Sequence, residues 1–100
     1  MAFQSTTITT TTPTTIITPI ASYFNDLIWM IITNTSATGT RVDIATSGGA
    51  TCSFWAAPTS TLQVFPPGPI PTSTTGVSWT ATLGTAVTDI RIFVNYYSHQ

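Results

Sequence analysis

The chain has 100 residues, which is enough for one folded domain of ordinary size. Only 5% of the residues are charged, whereas soluble domains average about 25%, and the formal net charge is −1. With two arginines and no lysine, the chain lacks the basic surface that binding to a phosphate backbone requires, so nucleic acid is not an expected partner.

The first 20 residues are dominated by threonine, with isolated apolar side chains at Ile8, Ile16 and Ile17. Threonine and isoleucine favour extended backbone because they are branched at Cβ. So few apolar residues cannot offset an ordering cost of about 1–2 kcal/mol per residue. We therefore predict an extended N-terminal arm over residues 1–20, either a disordered tail or a strand added to a neighbouring subunit, and one domain over residues 21–100.

Beyond residue 20, apolar and polar side chains alternate with a period of two, which is typical of strands with one face in a core. No window of comparable length has helical spacing. Turn-forming stretches such as Ser47-Gly48-Gly49 and Pro66-Pro67-Gly68-Pro69 separate the strands. We predict an all-β fold, a small antiparallel β-sandwich of jelly-roll-like form, with strands at residues 27–33, 42–44, 52–56, 62–64, 77–83 and 89–97.

The run Leu27–Ile32 is apolar on both alternating faces, with Leu27, Trp29 and Ile31 expected on one side. Such runs belong to strands that are covered on both faces, and a two-layer sandwich covers only one. Aromatic residues also lie opposite the predicted core positions, as they do in interfaces, unless bulges return some of them to the core. The predicted interface residues are Ile8, Ile16, Ile17, Ile28, Met30, Ile32, Trp55, Phe65, Phe93 and Tyr97.

Side chains that carry catalysis are scarce: the chain has one histidine, His99, three aspartates and no glutamate. We find no nucleophile beside a base, no carboxylate pair and no glycine-rich phosphate loop. The sequence therefore predicts a protein that is not an enzyme and uses no metal or cofactor. Cys52, the single cysteine, is expected to be a small buried strand residue rather than a reactive thiol.

The longest apolar run has six residues, far fewer than the roughly 20 that a membrane-spanning helix needs, so no membrane partner is expected. The chain does not open with a basic region followed by an apolar one, and no signal peptide is predicted. Asn34-Thr35-Ser36 matches the acceptor pattern for N-glycosylation. Without a signal peptide we interpret this tripeptide as part of a turn.

Several segments of the chain resemble small virion proteins of tailed phages. They are Tyr23-Phe24-Asn25-Asp26-Leu27, the strand Ile31–Thr38 running into Val42 and Ile44, Val64-Phe65-Pro66-Pro67, the threonine-rich strand around Trp79, and Asn95-Tyr96-Tyr97. Capsid decoration (cement) and auxiliary capsid proteins are the most similar group. The resemblance implies a β-sandwich that sits on the shell as an oligomer, in a virion assembled in the host cytoplasm.

We therefore predict a structural protein that stabilises a phage capsid through contacts with its own copies and with the major capsid protein or other virion proteins. From the symmetry of capsids, and because homo-oligomers are usually closed and symmetric, we expect a trimer. The alternative is a receptor- or glycan-binding fibre module in which Trp55, Tyr96 and Tyr97 stack on sugar rings, or a neck or tail component.

Overall fold

The computed structural model describes residues 2–46, 51–72, 74–87 and 89–100. These residues form eight β-strands and no helix. The six predicted strands correspond to the last six, while the predicted turn at Ser47-Gly48-Gly49 lies outside the described residues. The strands are β1 (Ala2–Ile8), β2 (Thr14–Ile17), β3 (Phe24–Asn34), β4 (Thr40–Thr46), β5 (Thr51–Ala56), β6 (Ser60–Val64), β7 (Trp79–Leu83) and β8 (Ile90–His99).

The strands form two four-stranded sheets, sheet A with the order β1-β8-β3-β6 and sheet B with the order β2-β7-β4-β5. All neighbouring strands are antiparallel. Only the connection from β4 to β5 stays within one sheet, and every other connection crosses from one sheet to the other. This is the strand order of a jelly roll. The prediction of an all-β, antiparallel, jelly-roll-like sandwich is therefore confirmed.

The N-terminal segment is part of the sandwich. β1 pairs with β8 from Ala2 opposite Tyr96 to Ile8 opposite Ile90, and β2 pairs with β7 of the same chain. Ile8, Ile16 and Ile17 were predicted to contact a neighbour, but each is at most 2% exposed in the core of its own chain. The prediction of an arm outside a domain that begins at residue 21 is wrong, because this segment forms one edge strand of each sheet.

The strand β3 contains a β-bulge between Leu27 and Trp29. The extra residue shifts the alternation, so Leu27, Met30 and Ile32 all face the core while Trp29 and Ile31 lie on the outer face. The predicted grouping of Leu27 with Trp29 and Ile31 is therefore wrong. Met30 and Ile32, predicted as interface residues, are each 1% exposed and belong to the core.

The inner faces of the two sheets make one continuous apolar core. β7 shows the predicted alternation throughout and β8 shows it from Ile90 to Val94, where the inward side chains are buried while the intervening positions are more exposed. The buried positions in these two strands that the alternation predicted are Trp79, Ala81, Leu83, Ile90, Ile92 and Val94. Sequence periodicity therefore identified this part of the core correctly.

A buried polar cluster fixes the loop between β3 and β4. The amide nitrogen Nδ2 of Asn34 donates to the carbonyl oxygens of Thr38 at 2.9 Å and Ala56 at 3.1 Å. The Asn34 oxygen Oδ1 accepts from the backbone N–H of Ser36 at 3.0 Å, and Asn34 is 1% exposed. The side chain is thus engaged in a turn, which agrees with the interpretation of Asn34-Thr35-Ser36 as turn chemistry.

Candidate interaction surface on the outer face of sheet A

The outer face of sheet A carries a contiguous aromatic cluster. Its members come from all parts of the sheet: Phe3 from β1, Phe93 from β8, Trp29 from β3, and Phe65 immediately after β6. The rings of Phe3 and Phe93 stack with centroids 5.5 Å apart and an interplanar angle of 14°. Trp29 lies 6.1 Å from Phe3, 5.8 Å from Phe93 and 5.9 Å from Phe65. We call these four residues the aromatic patch.

Strand register brings the patch together. Asn95 of β8 lies opposite Phe3 on one side and opposite Trp29 on the other. Although Asn95 belongs to the outward set of β8 that includes Phe93, it is only 1% exposed, and its Nδ2 donates to the Ala2 carbonyl oxygen at 3.2 Å. The aromatic side chains beside it thus pack into a layer that excludes water from the sheet beneath.

The exposed area of the patch, counted together with Tyr97, lies within the range of the largest apolar patch on an ordinary monomer. Phe3, Phe65 and Phe93 are 58%, 60% and 38% exposed, and Tyr97, farther along β8, is 49% exposed. At about 200 Å² for each aromatic side chain, these fractions amount to roughly 400 Å². The largest apolar patch of a monomer is about 300–600 Å² and is often functional. A standard interface buries about 800 Å² per partner, so the patch and Tyr97 together could supply about half of one.

The ionisable side chains described on this face are paired within the chain. His99 Nε2 lies 2.9 Å from Asp26 Oδ2, and the imidazole stacks on the ring of Tyr97 with centroids 5.5 Å apart. At the other end of β8, Arg91 Nε lies 3.2 Å from Asp89 Oδ2. A protein that covers the patch would therefore meet rings flanked by ionisable side chains that already have a partner within the chain.

The outer face of sheet B is polar around one exposed ring. Trp55 is 63% exposed and lies opposite Arg41 in the register of β4 and β5. Asp43 accepts hydrogen bonds from Ser53 Oγ at 2.7 Å and from Arg41 Nε at 3.0 Å. Of these two, the Ser53 hydroxyl has the larger effect, and both hold the pKa of Asp43 below its ordinary value. The ring of Trp55 lies against Gly39, where an added Cβ would be 2.6 Å from Trp55 Cζ2.

The predicted interface residues fall into three groups in the structure. Phe65, Phe93 and Tyr97 lie exposed on the outer face of sheet A, whereas Trp55 is exposed on sheet B. Ile28, at the bulge of β3, is half-buried. The other five are core residues of this chain, as described above. Sequence reasoning missed Phe3, which it assigned to the arm, and it did not include Trp29 in the predicted interface.

Comparison of the chain with protein-family models, with curated proteins and with solved structures gives no match. Among the residues that the structure describes, no group of three or more His, Cys, Asp or Glu side chains could hold a metal ion. In the same part of the chain, no helix is long and apolar enough to cross a membrane.

Proposed function

We propose that this chain is a non-enzymatic structural protein that assembles through the aromatic patch, and that it decorates and stabilises the capsid of a phage. The observation that carries the proposal is the contiguous layer of exposed rings on the outer face of sheet A. Aromatic residues are enriched in the buried centres of protein interfaces. The proposed partners are further copies of the chain, in a closed trimer, and the major capsid protein.

Three observations support a place in a virion. Only 5% of the residues are charged, which suits a surface covered by neighbours better than one that must stay in solution alone. The jelly-roll strand order recurs in viral capsid domains, although lectins share it. The chain also resembles phage decoration proteins in the segments given above.

The exposed area of the patch determines how strongly it could bind a partner. Covering the patch and Tyr97 on one copy, about 400 Å², gains roughly 10 kcal/mol at about 25 cal/mol per Å². Association costs about 4–15 kcal/mol, which is of the same order. The patch alone would therefore support weak pairing, and tight assembly requires the flanking surface or several subunits on a shell. A closed oligomer at micromolar concentration therefore requires the surface around the patch to be buried together with it.

Sedimentation analysis of three proteins tests the assembly. We expect the wild type to form a closed oligomer at micromolar concentration, and the double variant Phe3→Ser with Phe93→Ser to be monomeric with an unchanged far-ultraviolet CD spectrum. Trp55→Ser, an equally exposed change on sheet B, serves as the matched control and should leave the oligomer intact. A compact wild-type monomer at tens of micromolar, or a double variant that assembles normally, would contradict this part of the proposal.

The virion location needs a separate measurement. If the proposal is correct, the chain should be recovered from purified phage particles in a copy number set by capsid symmetry, and cryo-electron microscopy should place its density on the shell. Density at the neck or tail, or recovery in only trace amounts, would reject a decorating role while leaving the assembly through the aromatic patch standing.

Glycan binding is a second candidate, and Trp55 favours it. Its exposed ring lies beside the fixed polar groups of Arg41, Asp43 and Ser53, a combination of stacking surface and hydrogen-bonding groups that suits a saccharide. Tyr96, also predicted as a sugar platform, packs against the core instead. A glycan-array signal that Trp55→Ala abolishes and Phe65→Ala preserves would support this function; equal signals from both variants would reject it.

A further inference from the structure

The sandwich is closed along one edge and open along the other. Where β1 lies beside β2, the inward side chains Ile8, Ile16 and Ile17 are at most 2% exposed. Where β5 lies beside β6, the inward side chains Phe54 and Val64 remain only partly buried, although they pack against the core. The interior is therefore accessible between β5 and β6.

A cavity of about 240 Å³ lies at this open edge. Core residues Met30, Ile44 and Trp79 line it on the inside, and Phe54 and Val64 line it from the edge strands. No charged side chain is among the described residues of its lining. The cavity is thus an apolar space between the sheets, separate from the outer faces discussed above.

The proline-rich loop after β6 forms one wall of the cavity through Ile70 and Pro71. Ile70 and Leu27 exchange two backbone hydrogen bonds, from Leu27 N–H to Ile70 O at 2.9 Å and from Ile70 N–H to Leu27 O at 2.8 Å. Because this pair ties the loop to β3, the wall is held in place and the cavity is preformed.

Cys52 lies at the mouth of the cavity. Its register opposite Ile44 turns it toward the interior, yet it is exposed, contrary to the sequence-based expectation that it would be buried. The small side chain leaves space in front of it, which a larger residue would fill. Trp79 Nε1, the polar atom of an inner lining residue, already donates to the Asn25 carbonyl oxygen at 2.8 Å. The lining therefore offers mainly apolar contacts, and Trp79 Nε1 needs no hydrogen-bond acceptor from a ligand.

We propose that this cavity binds an uncharged apolar molecule: a one- or two-ring aromatic compound or a short alkyl chain. Its size follows from the volume, since an apolar cavity of about 150 Å³ accepts benzene, so that 240 Å³ accommodates about ten non-hydrogen atoms. The inference is independent of assembly, because the aromatic patch lies on the opposite side of sheet A.

Titration with indole tests the proposal. In ¹³C-methyl NMR spectra of the full chain, we expect saturable shifts of the Met30 and Ile44 methyl signals. Cys52→Phe, which fills the mouth with a ring, should abolish them. Thr51→Phe adds the same ring on the outward side of the same strand and should preserve them.

A second measurement uses Cys52 as the only thiol of the chain. Because a bound ligand would cover the mouth, alkylation of Cys52 by iodoacetamide should slow by about tenfold at an indole concentration about ten times Kd. This measurement uses the wild type, so it shows whether indole occupies the cavity even if Cys52→Phe does not fold.

The proposal is overturned if folded wild type shows no saturable shift up to the solubility limit of indole. It is equally overturned if folded Cys52→Phe binds as the wild type does, since the ligand would then sit elsewhere, or if saturating indole leaves the alkylation rate of Cys52 unchanged. None of these results would bear on assembly, which is measured by sedimentation of the patch variants.

Discussion

Replacing Ile17 with alanine tests whether the N-terminal segment is part of the fold. Ile17 lies at the end of β2 and is 0% exposed, enclosed by the core between the two sheets. Truncating a fully buried isoleucine to alanine costs about 2–5 kcal/mol, through lost burial and the cavity left behind. Domains of this length have a total stability of about 5–15 kcal/mol, so one substitution removes a large share of it.

Urea unfolding followed by far-ultraviolet CD measures this cost. A loss of about 3 kcal/mol, with a dependence of about 1.5 kcal/mol per M urea, lowers the midpoint by about 2 M. Ile20→Ala is the matched control, because Ile20 lies in the same N-terminal segment but is 42% exposed, and we expect it to change stability by about 0.5 kcal/mol or less. Equal and small effects of the two substitutions would show that β2 does not contribute to the core and would refute the reasoning.

Three further substitutions probe local interactions. Asn34→Ala leaves buried backbone groups of the loop after β3 unpaired, and thermal unfolding should show a loss of about 1–3 kcal/mol. Ser53→Ala removes the hydroxyl that lowers the pKa of Asp43. A lowered pKa stabilises the fold only while the carboxyl is ionised. Urea titrations should therefore show the full loss of stability at pH 7 and a smaller loss as the pH falls below about 4. Gly39→Ala places a methyl group 2.6 Å from Trp55 Cζ2, so the ring must move; because Trp55 is 63% exposed, we expect a cost of only about 0.5 kcal/mol but an altered near-ultraviolet CD spectrum.

The strands of the C-terminal four fifths were predictable because each has one buried and one exposed face. In β8, Ile90, Ile92 and Val94 alternate with Arg91 and Phe93, and the structure buries the first set. Such alternation is a local signal that needs no knowledge of the partner strand. It identified the fold class, since repeated short strands without helical spacing leave few architectures open.

The N-terminal strands could not be predicted in this way. Threonine tolerates both faces of a sheet, so a threonine-rich strand has weak alternation. The pairing of β1 is also the most distant in the chain, with Ala2 opposite Tyr96. A contact across that separation leaves no local sequence signal, and the cost of ordering the segment is offset only once β8 is in place.

Two of the four residues of the aromatic patch could be predicted from the alternation along single strands. Phe65 and Phe93 follow from alternation, since they lie opposite core positions of their own strands. Phe3 was missed because its strand was missed, and Trp29 because the bulge in β3 changes which side of the strand each residue occupies. A bulge has no dependable sequence signature, so the clustering of the rings appears only in three dimensions.

The two outer faces of the sandwich have different chemistry, and each face suits a different candidate function. Sheet A presents rings beside paired charges, whereas sheet B presents Trp55 among hydroxyl and charged groups. Because the faces are opposite, a subunit bound to a shell through sheet A would keep Trp55 in solvent. In assembled particles, hydroxyl-radical labelling of Phe65 and Phe93 should therefore fall while that of Trp55 persists. Protection of Trp55 instead would mean that sheet B is the covered face and would reverse the assignment of the two surfaces.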